Sequence, residues 1–251
     1  MNELDLAMRL GLLVARPGVL ILTAPVFGRF APPMVRIGIL LILAFILMPI
    51  IAVPQVTSLA ALGMVLLREL ALGLALTLVV TALIAGAELG GHLTGAQMML
   101  SYGSIIDPQG GVRNTMMSTL YGNLALLTFF IVQGHHALLR SLAASYASLP
   151  IGMSGVDDSL ARSVTELLGI VFVIGVRLAA PLIVVMLVVE LAIGLISRAA
   201  PAFNPMAAAT PIRIIVGLLG VSAMVPLVPG LVTHLIPALS DLGLRVAQAF
   251  R

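Results

Sequence analysis

The chain reads as an all-α, polytopic membrane protein of about six long, kinked hydrophobic helices. Three observations predict this. Apolar residues make up 61% of the chain and charged residues only 9%, where a soluble domain is nearer a quarter charged. Mean hydropathy is +1.19, and a surface so poor in charge does not stay dispersed in water. Apolar runs recur that approach or exceed the roughly 20 residues a helix needs to cross hydrocarbon, and proline and glycine interrupt them.

The runs follow in order. The first extends from Leu6 to Pro25 and is interrupted by Arg16-Pro17. The residues before it, Met1-Asn2-Glu3-Leu4-Asp5, are acidic, whereas a cleaved signal peptide starts positive, so this span is expected to be retained. The second covers Ile37 to Val53, and the third runs from Leu62 to Ala87 or beyond. The fourth covers Thr115 to Leu149, the fifth Val164 to Ile196, and the sixth Ile214 to Leu239. The fourth and fifth look longer than a bilayer needs, which tilt could absorb. Pro49, Pro54, Pro181, Pro226, Pro229 and Pro237 lie inside or at the ends of these runs. Each removes a backbone donor, and in lipid the freed carbonyls must find partners in neighbouring helices. Two small-xxx-small pairs, Gly86/Gly90 and Gly91/Gly95, predict close helix approach. With six spans, Arg29, Arg36, Arg113, Arg198 and Arg213 share one side and Arg9, Arg162, Arg245 and Arg251 the other; the positive-inside rule leans toward the first being cytoplasmic.

Composition excludes several function classes. There is no Cys, hence no disulfide framework and no thiolate metal site. Trp is absent too, leaving Tyr102, Tyr121 and Tyr146 as the only interfacial anchors. All thirteen basic residues are Arg, with no basic run or aromatic interleaving, so no nucleic acid is expected. His92, His135, His136 and His234 lack zinc-ligand spacing; His135-His136 is expected to cap a helix bend after Gly134. No metal or cofactor is expected. Gly152-Met153-Ser154-Gly155 matches the Gly-x-Ser-Gly pattern of rhomboid proteases. A motif counts only in its structural context, and Ser154 lies between Pro150 and Asp157-Asp158, in an interhelical loop.

Charges inside apolar runs are costly and face protein or water. They are Arg16, Arg68, Glu69, Glu88, Arg177 and Glu190. No single span carries several carboxylates on one face, which favours structural pairing over a proton pathway. Arg177 and Glu190 are 13 residues apart and point to different sides of a helix, so they are not expected to pair with each other. The segment from Ser101 to Asn114 starts near-apolar and then breaks at Asp107-Pro108 and Gly110-Gly111. Such a break cannot face lipid unsatisfied. It is either an ordinary surface loop or a segment buried among helices that plugs a pore.

Several blocks resemble the FliR family, the flagellar biosynthetic export-gate subunits with homologues in injectisomes. They are Pro25-Val26-Phe27-Gly28 with Pro32-Pro33-Met34-Val35-Arg36, then Asp107-Pro108, and Gly134-His135-His136-Ala137-Leu138-Leu139-Arg140. Ser145-Tyr146, Leu149-Pro150-Ile151-Gly152, Ala180-Pro181 with Glu190, Arg198-Ala199-Ala200-Pro201-Ala202-Phe203-Asn204 and Pro211-Ile212-Arg213 complete the match. The family more often has Gln where Ala202 stands.

The resemblance implies a non-enzymatic subunit of a helical-hairpin export gate, multi-pass in the bacterial inner membrane at the flagellar basal body. It implies that residues 1–155 resemble the P-type partner subunit and residues 156–251 the Q-type partner, within one membrane unit. It implies P-type and Q-type partners, B-type and A-type export subunits, surrounding lipids and unfolded flagellar substrates, with energy from a separate ATPase and the proton motive force. It places the pore plug at Ser104, Ile105, Ile106, Asp107, Pro108, Gln109, Gly110, Gly111 and Val112. It puts Arg198, Pro201, Asn204, Pro211 and Arg213 in a cytoplasmic-side hairpin loop. The intramembrane charges Arg68, Glu69, Glu88, Arg177 and Glu190 are, from their place in apolar runs, expected to serve assembly by pairing between helices or subunits. The alternatives are an injectisome homologue, which the Gly-His-His block disfavours, and a small-molecule secondary transporter, for which no internal repeat is visible.

Overall fold

The computed structural model describes residues 3–28, 31–54, 58–100, 115–152, 159–199 and 205–234, and every regular element among them is a helix. α1 spans Glu3–Thr23 and carries Pro17 inside it. α2 is a single turn, Pro25–Gly28, and α3 is Pro33–Leu47. Both begin on proline, whose missing N–H costs nothing in a helix's first turn. Arg36 of α3 reaches back to donate to the carbonyls of Gly28 (2.6 Å) and Ala31 (2.8 Å), satisfying orphaned acceptors around the end of α2. α3 stops in the turn at Met48–Ile50, which holds Pro49.

α4 is Leu59–Gln97, 39 residues, or about 58 Å at the helical rise. Ser58 caps its start, accepting from the Ala61 N–H at 3.1 Å. α5 is Met116–Ile131, capped by Thr115, which accepts from the Ser118 N–H. α6 is Gly134–Ser148, preceded by Gln133 at φ 58°. α7 is Ser159–Ala199, 41 residues with Pro181 inside. α8 is Pro205–Met224 with Pro211 inside, followed after a 43° bend by α9, Leu227–His234.

Among the described residues, two helices are long and apolar enough to cross a membrane by themselves, α4 and Thr165–Ala199 of α7; counting each bent pair as one span raises this to four. The fold is all-α and polytopic. The first expected run does form a helix, but α1 carries Glu3, Asp5, Arg9 and Arg16, and the second forms the short, 15-residue α3. Length is distributed differently from the sequence expectation. The fourth run is not one long helix, because the left-handed Gln133 breaks it into α5 and α6. The third continues straight through its glycines to Gln97. Pro181 and Pro211 lie within continuing helices, whereas Pro49 and Pro226 fall in turns.

Contacts group the chain into two compact units. Among the described residues, one lies within 3–82 and 132–168 and the other within 83–131 and 169–234. The boundaries fall inside the residue ranges of α4 and α7. This division concerns compactness, while the split at residue 155 concerns likeness to partner subunits. The first unit's core is built from Leu12, Leu13, Leu20, Ile21, Leu72, Leu76 and Leu142. The second is built from Met98, Leu126, Ile174, Leu178, Leu182 and Met186.

Candidate functional site

In the first unit the apolar core encloses an ion pair. Arg16 of α1 and Glu69 of α4 are both 0% exposed. The guanidinium grips the carboxylate bidentately, Nε to Oε2 at 2.8 Å and Nη2 to Oε1 at 3.0 Å. It donates twice more, from Nη1 to Ser145 Oγ in α6 (2.9 Å) and from Nη2 to the carbonyl of Leu149, the residue that caps α6 (3.1 Å). Four of the five donors an arginine owns are therefore used. Ser145 Oγ in turn donates to the Leu142 carbonyl at 2.7 Å. The guanidinium lies 4.1 Å from the Tyr146 ring centroid, within cation–π range.

Local sequence makes this clamp possible. Pro17 has no N–H, so the carbonyl of Leu13, four residues earlier, loses its helical donor. The Tyr146 hydroxyl supplies one at 3.3 Å. Gly73 lies one turn after Glu69 on the same face of α4. A Cβ there would sit 2.5 Å from the Arg16 carbonyl oxygen and 3.0 Å from Val19 Cβ. The absence of a side chain at Gly73 thus brings α1 close enough for Arg16 to reach Glu69. The arrangement is closed and charge-balanced. It holds three helices together and presents no nucleophile or open coordination site.

The second unit also holds an ion pair. Arg213 of α8 meets Glu190 of α7, Nη2 to Oε1 at 3.2 Å, and its Nη1 donates to Met99 Sδ at 3.1 Å. Met99 ends α4. The Met99 N–H donates to the Ala96 carbonyl and the Leu100 N–H to the Gly95 carbonyl, the paired bonds of a Schellman motif. Its left-handed position is normally glycine, yet Met99 occupies it at φ 57°, at a cost of about 1–2 kcal/mol for a side chain there. Met98 beside it is fully buried. Along α4, Gly86 and Gly90 receive Ile174 and Leu178 of α7, and Gly91 abuts the backbone of Met117 and Ser118 in α5.

The candidate residues from the sequence distribute as follows. Glu69 enters the clamp, with Arg68 half-buried beside it; Glu190 pairs with Arg213, not Arg177, which is exposed. Glu88 is half-buried in the C-terminal third of α4. Pro211 and Arg213 lie inside α8 and not in a loop, because the helix begins at Pro205 and carries on past Pro211; Arg198 lies in the last turn of α7. His136 N–H donates to the Gln133 carbonyl at the start of α6, and the His135 and His136 rings lie 4.2 Å apart. Among the described residues no three His, Asp or Glu side chains gather as metal ligands. The plug candidates Ser104 to Val112, the loop residues Pro201 and Asn204, Ser154 and Pro237 lie outside the described residues. Sequence reasoning missed the Arg16–Glu69 pairing and the roles of Gly73 and Met99. The one signal for the pair was that two opposite charges, in separate apolar runs, each needed a buried partner.

The profile of the family described as "Bacterial export proteins, family 1" matches residues 7–239. Several curated relatives bear the name flagellar biosynthetic protein FliR. That of Pectobacterium carotovorum is 29% identical over 225 residues, covering 89% of this chain and 86% of the relative. That of Escherichia coli K12 is 28% identical with the same coverage. That of Bacillus subtilis 168 is 28% identical over 87% of each chain. A match this long, over a helical membrane body built as described, assigns the family: the chain belongs to the bacterial export proteins, family 1.

Proposed function

We propose that the chain is a non-enzymatic subunit of the flagellar type III protein-export gate, forming with partner subunits the channel for unfolded flagellar proteins. The observation that carries this reading is the family match from residue 7 to residue 239, joined to relatives named as flagellar biosynthetic proteins. At the coarser level the chain is a membrane protein and a component of the flagellar export apparatus. The partners in the proposal are the P-type and Q-type gate subunits, with the B-type and A-type export subunits nearby. Residues 1–155 play the P-like part and 156–251 the Q-like part, in the inner membrane at the basal body.

Physical chemistry supports the reading. An export pore must pass an unfolded chain yet hold back ions at rest, which apolar constrictions and flexible segments achieve without bond chemistry. The buried charges are spent on holding helices together. In this reading the segment from Ser104 to Val112 plugs the pore.

Deleting Ser104 to Gly111 is the test. In gates assembled with tagged partners, the deletion should raise membrane conductance while the subunit still co-purifies with the P-type and Q-type proteins. Unchanged conductance in an assembled gate would remove the plug. A purified subunit that binds and moves a small solute without those partners would replace the whole reading with a transporter.

A further inference from the structure

The end of α4 is held more firmly than a helix stop requires. Met98 is fully buried and fills a notch that exists because residue 217 of α8 is glycine. A Cβ at Gly217 would collide with Met98 Cγ, lie 2.8 Å from Met98 Cε and lie 2.9 Å from Met186 Cε of α7. The next residue, Met99, adopts the left-handed conformation at φ 57°, where a Schellman motif ordinarily takes glycine. Glycine would stop the helix equally well and without strain. It would offer nothing to grip. Met99 offers its sulfur, a weak acceptor, to Arg213 Nη1 at 3.1 Å.

Arg213 is itself steered. Its Nη2 meets Glu190 Oε1 at 3.2 Å, with the Arg213 side chain 17% exposed and that of Glu190 50%. Its Nε is buried without a hydrogen-bond partner among the described residues. An arginine free to swing outward would hydrate that donor, so the inward position carries a cost that something offsets. The same few residues thus hold a backbone strain and an unspent donor. Strain of this kind persists only where the surroundings impose it.

We infer that Met99 is a positioning residue: gripped by Arg213, beside Met98 in the Gly217 notch, it sets the direction in which the chain leaves α4 at Leu100. The functional consequence rests on the plug reading above, because Leu100 leads directly into residues 101–114. Glu190 orients Arg213, Arg213 holds the Met99 sulfur, and the left-handed turn converts that hold into a fixed exit vector. Replacing Met99 with glycine keeps the helix stop, relieves the strain and removes the grip.

That substitution separates positioning from plain stability. The chain has no native cysteine, and Leu100 is 39% exposed, so a nitroxide on Leu100→Cys reports motion at the exit point within the assembled gate. In Met99→Gly and in Arg213→Leu the label's mobility should rise several-fold, and gate conductance should rise with it. Thermal stability should not fall in Met99→Gly. Arg213→Lys, which keeps a cation beside Glu190 but loses the fixed fork, should fall between. An unchanged nitroxide spectrum in both Met99→Gly and Arg213→Leu overturns the inference. So does a mobile label with resting conductance, if deletion of Ser104 to Gly111 leaks in the same gates. If that deletion does not leak, the plug reading fails, and the spectra alone then uphold or overturn the anchor.

Discussion

Arg16 shows what a single buried charge demands of its neighbours. A guanidinium without water needs most of its donors satisfied, and here a carboxylate, a hydroxyl and a helix-end carbonyl do so. Such a pair gives little net stability over well-packed apolar residues, but removing one member strands the other and costs about 3–5 kcal/mol. Glu69→Leu should therefore sharply lower the thermal stability and abundance of the assembled subunit. The double variant Arg16→Met with Glu69→Leu should recover much of the loss. If the double variant is as unstable as the single one, the pair does more than balance charge. The value of the clamp lies in geometry: it admits one register of α1 against α4 and α6, since a shift of one residue on α1 would turn Arg16 about 100° away from Glu69.

At the scale of elements, α4 is organised by glycines that serve different neighbours. Gly73 admits the α1 backbone, Gly86 and Gly90 admit α7 side chains, and Gly91 admits the α5 backbone. The consequences of adding a methyl group differ accordingly. At Gly175 of α7 the new Cβ meets Leu89 Cδ2 and Cγ at 2.7 Å and Leu89 Cβ at 3.0 Å, so a rotamer change relieves part of the clash and the helices must part slightly for the rest. At Gly91 it meets the carbonyl and Cα of α5, and a helix backbone cannot yield locally. Gly91→Ala should lower the melting temperature of the purified gate by clearly more than Gly175→Ala. Equal effects would show that α5 is free to move away from α4. The glycine pairs were visible as small-xxx-small spacing, but which face each glycine served was not.

For the whole molecule, the telling feature is how much apolar surface stays uncovered. The most apolar window of α7 is only 33% buried within the chain, against 67% for α4. Val184, Leu187, Val188, Leu191 and Leu195 of α7 are well exposed, as are Met34, Ile42 and Phe45 of α3. Lipid can cover such faces within the thickness of a bilayer, but α7 is about 61 Å long at the helical rise, about twice the hydrocarbon thickness. The excess length calls for protein partners. Expressed alone and extracted into detergent, the subunit should aggregate or lose helicity on mild heating, and co-expression with the proposed gate partners should prevent both. A monodisperse, cooperatively melting monomer would count against an obligate assembly.

The sequence by itself determined the class of solvent. Sparse charge and recurring apolar runs admit helices in a membrane and little else, and the blocks from Pro25 to Arg213 pointed to the family that the profile match then assigned. Only the tertiary structure decided which charges meet, because Arg16 and Glu69 are 53 residues apart and nothing local links them. It also decided that α4 runs through its glycines, while the fourth apolar run breaks at Gln133. A helix survives its glycines when close-packed neighbours offset the propensity they lose, and that compensation depends on the arrangement of the neighbours in space. The strained Met99 was hidden for the same reason: its conformation is imposed by Arg213 and Gly217, which lie more than a hundred residues further along the chain.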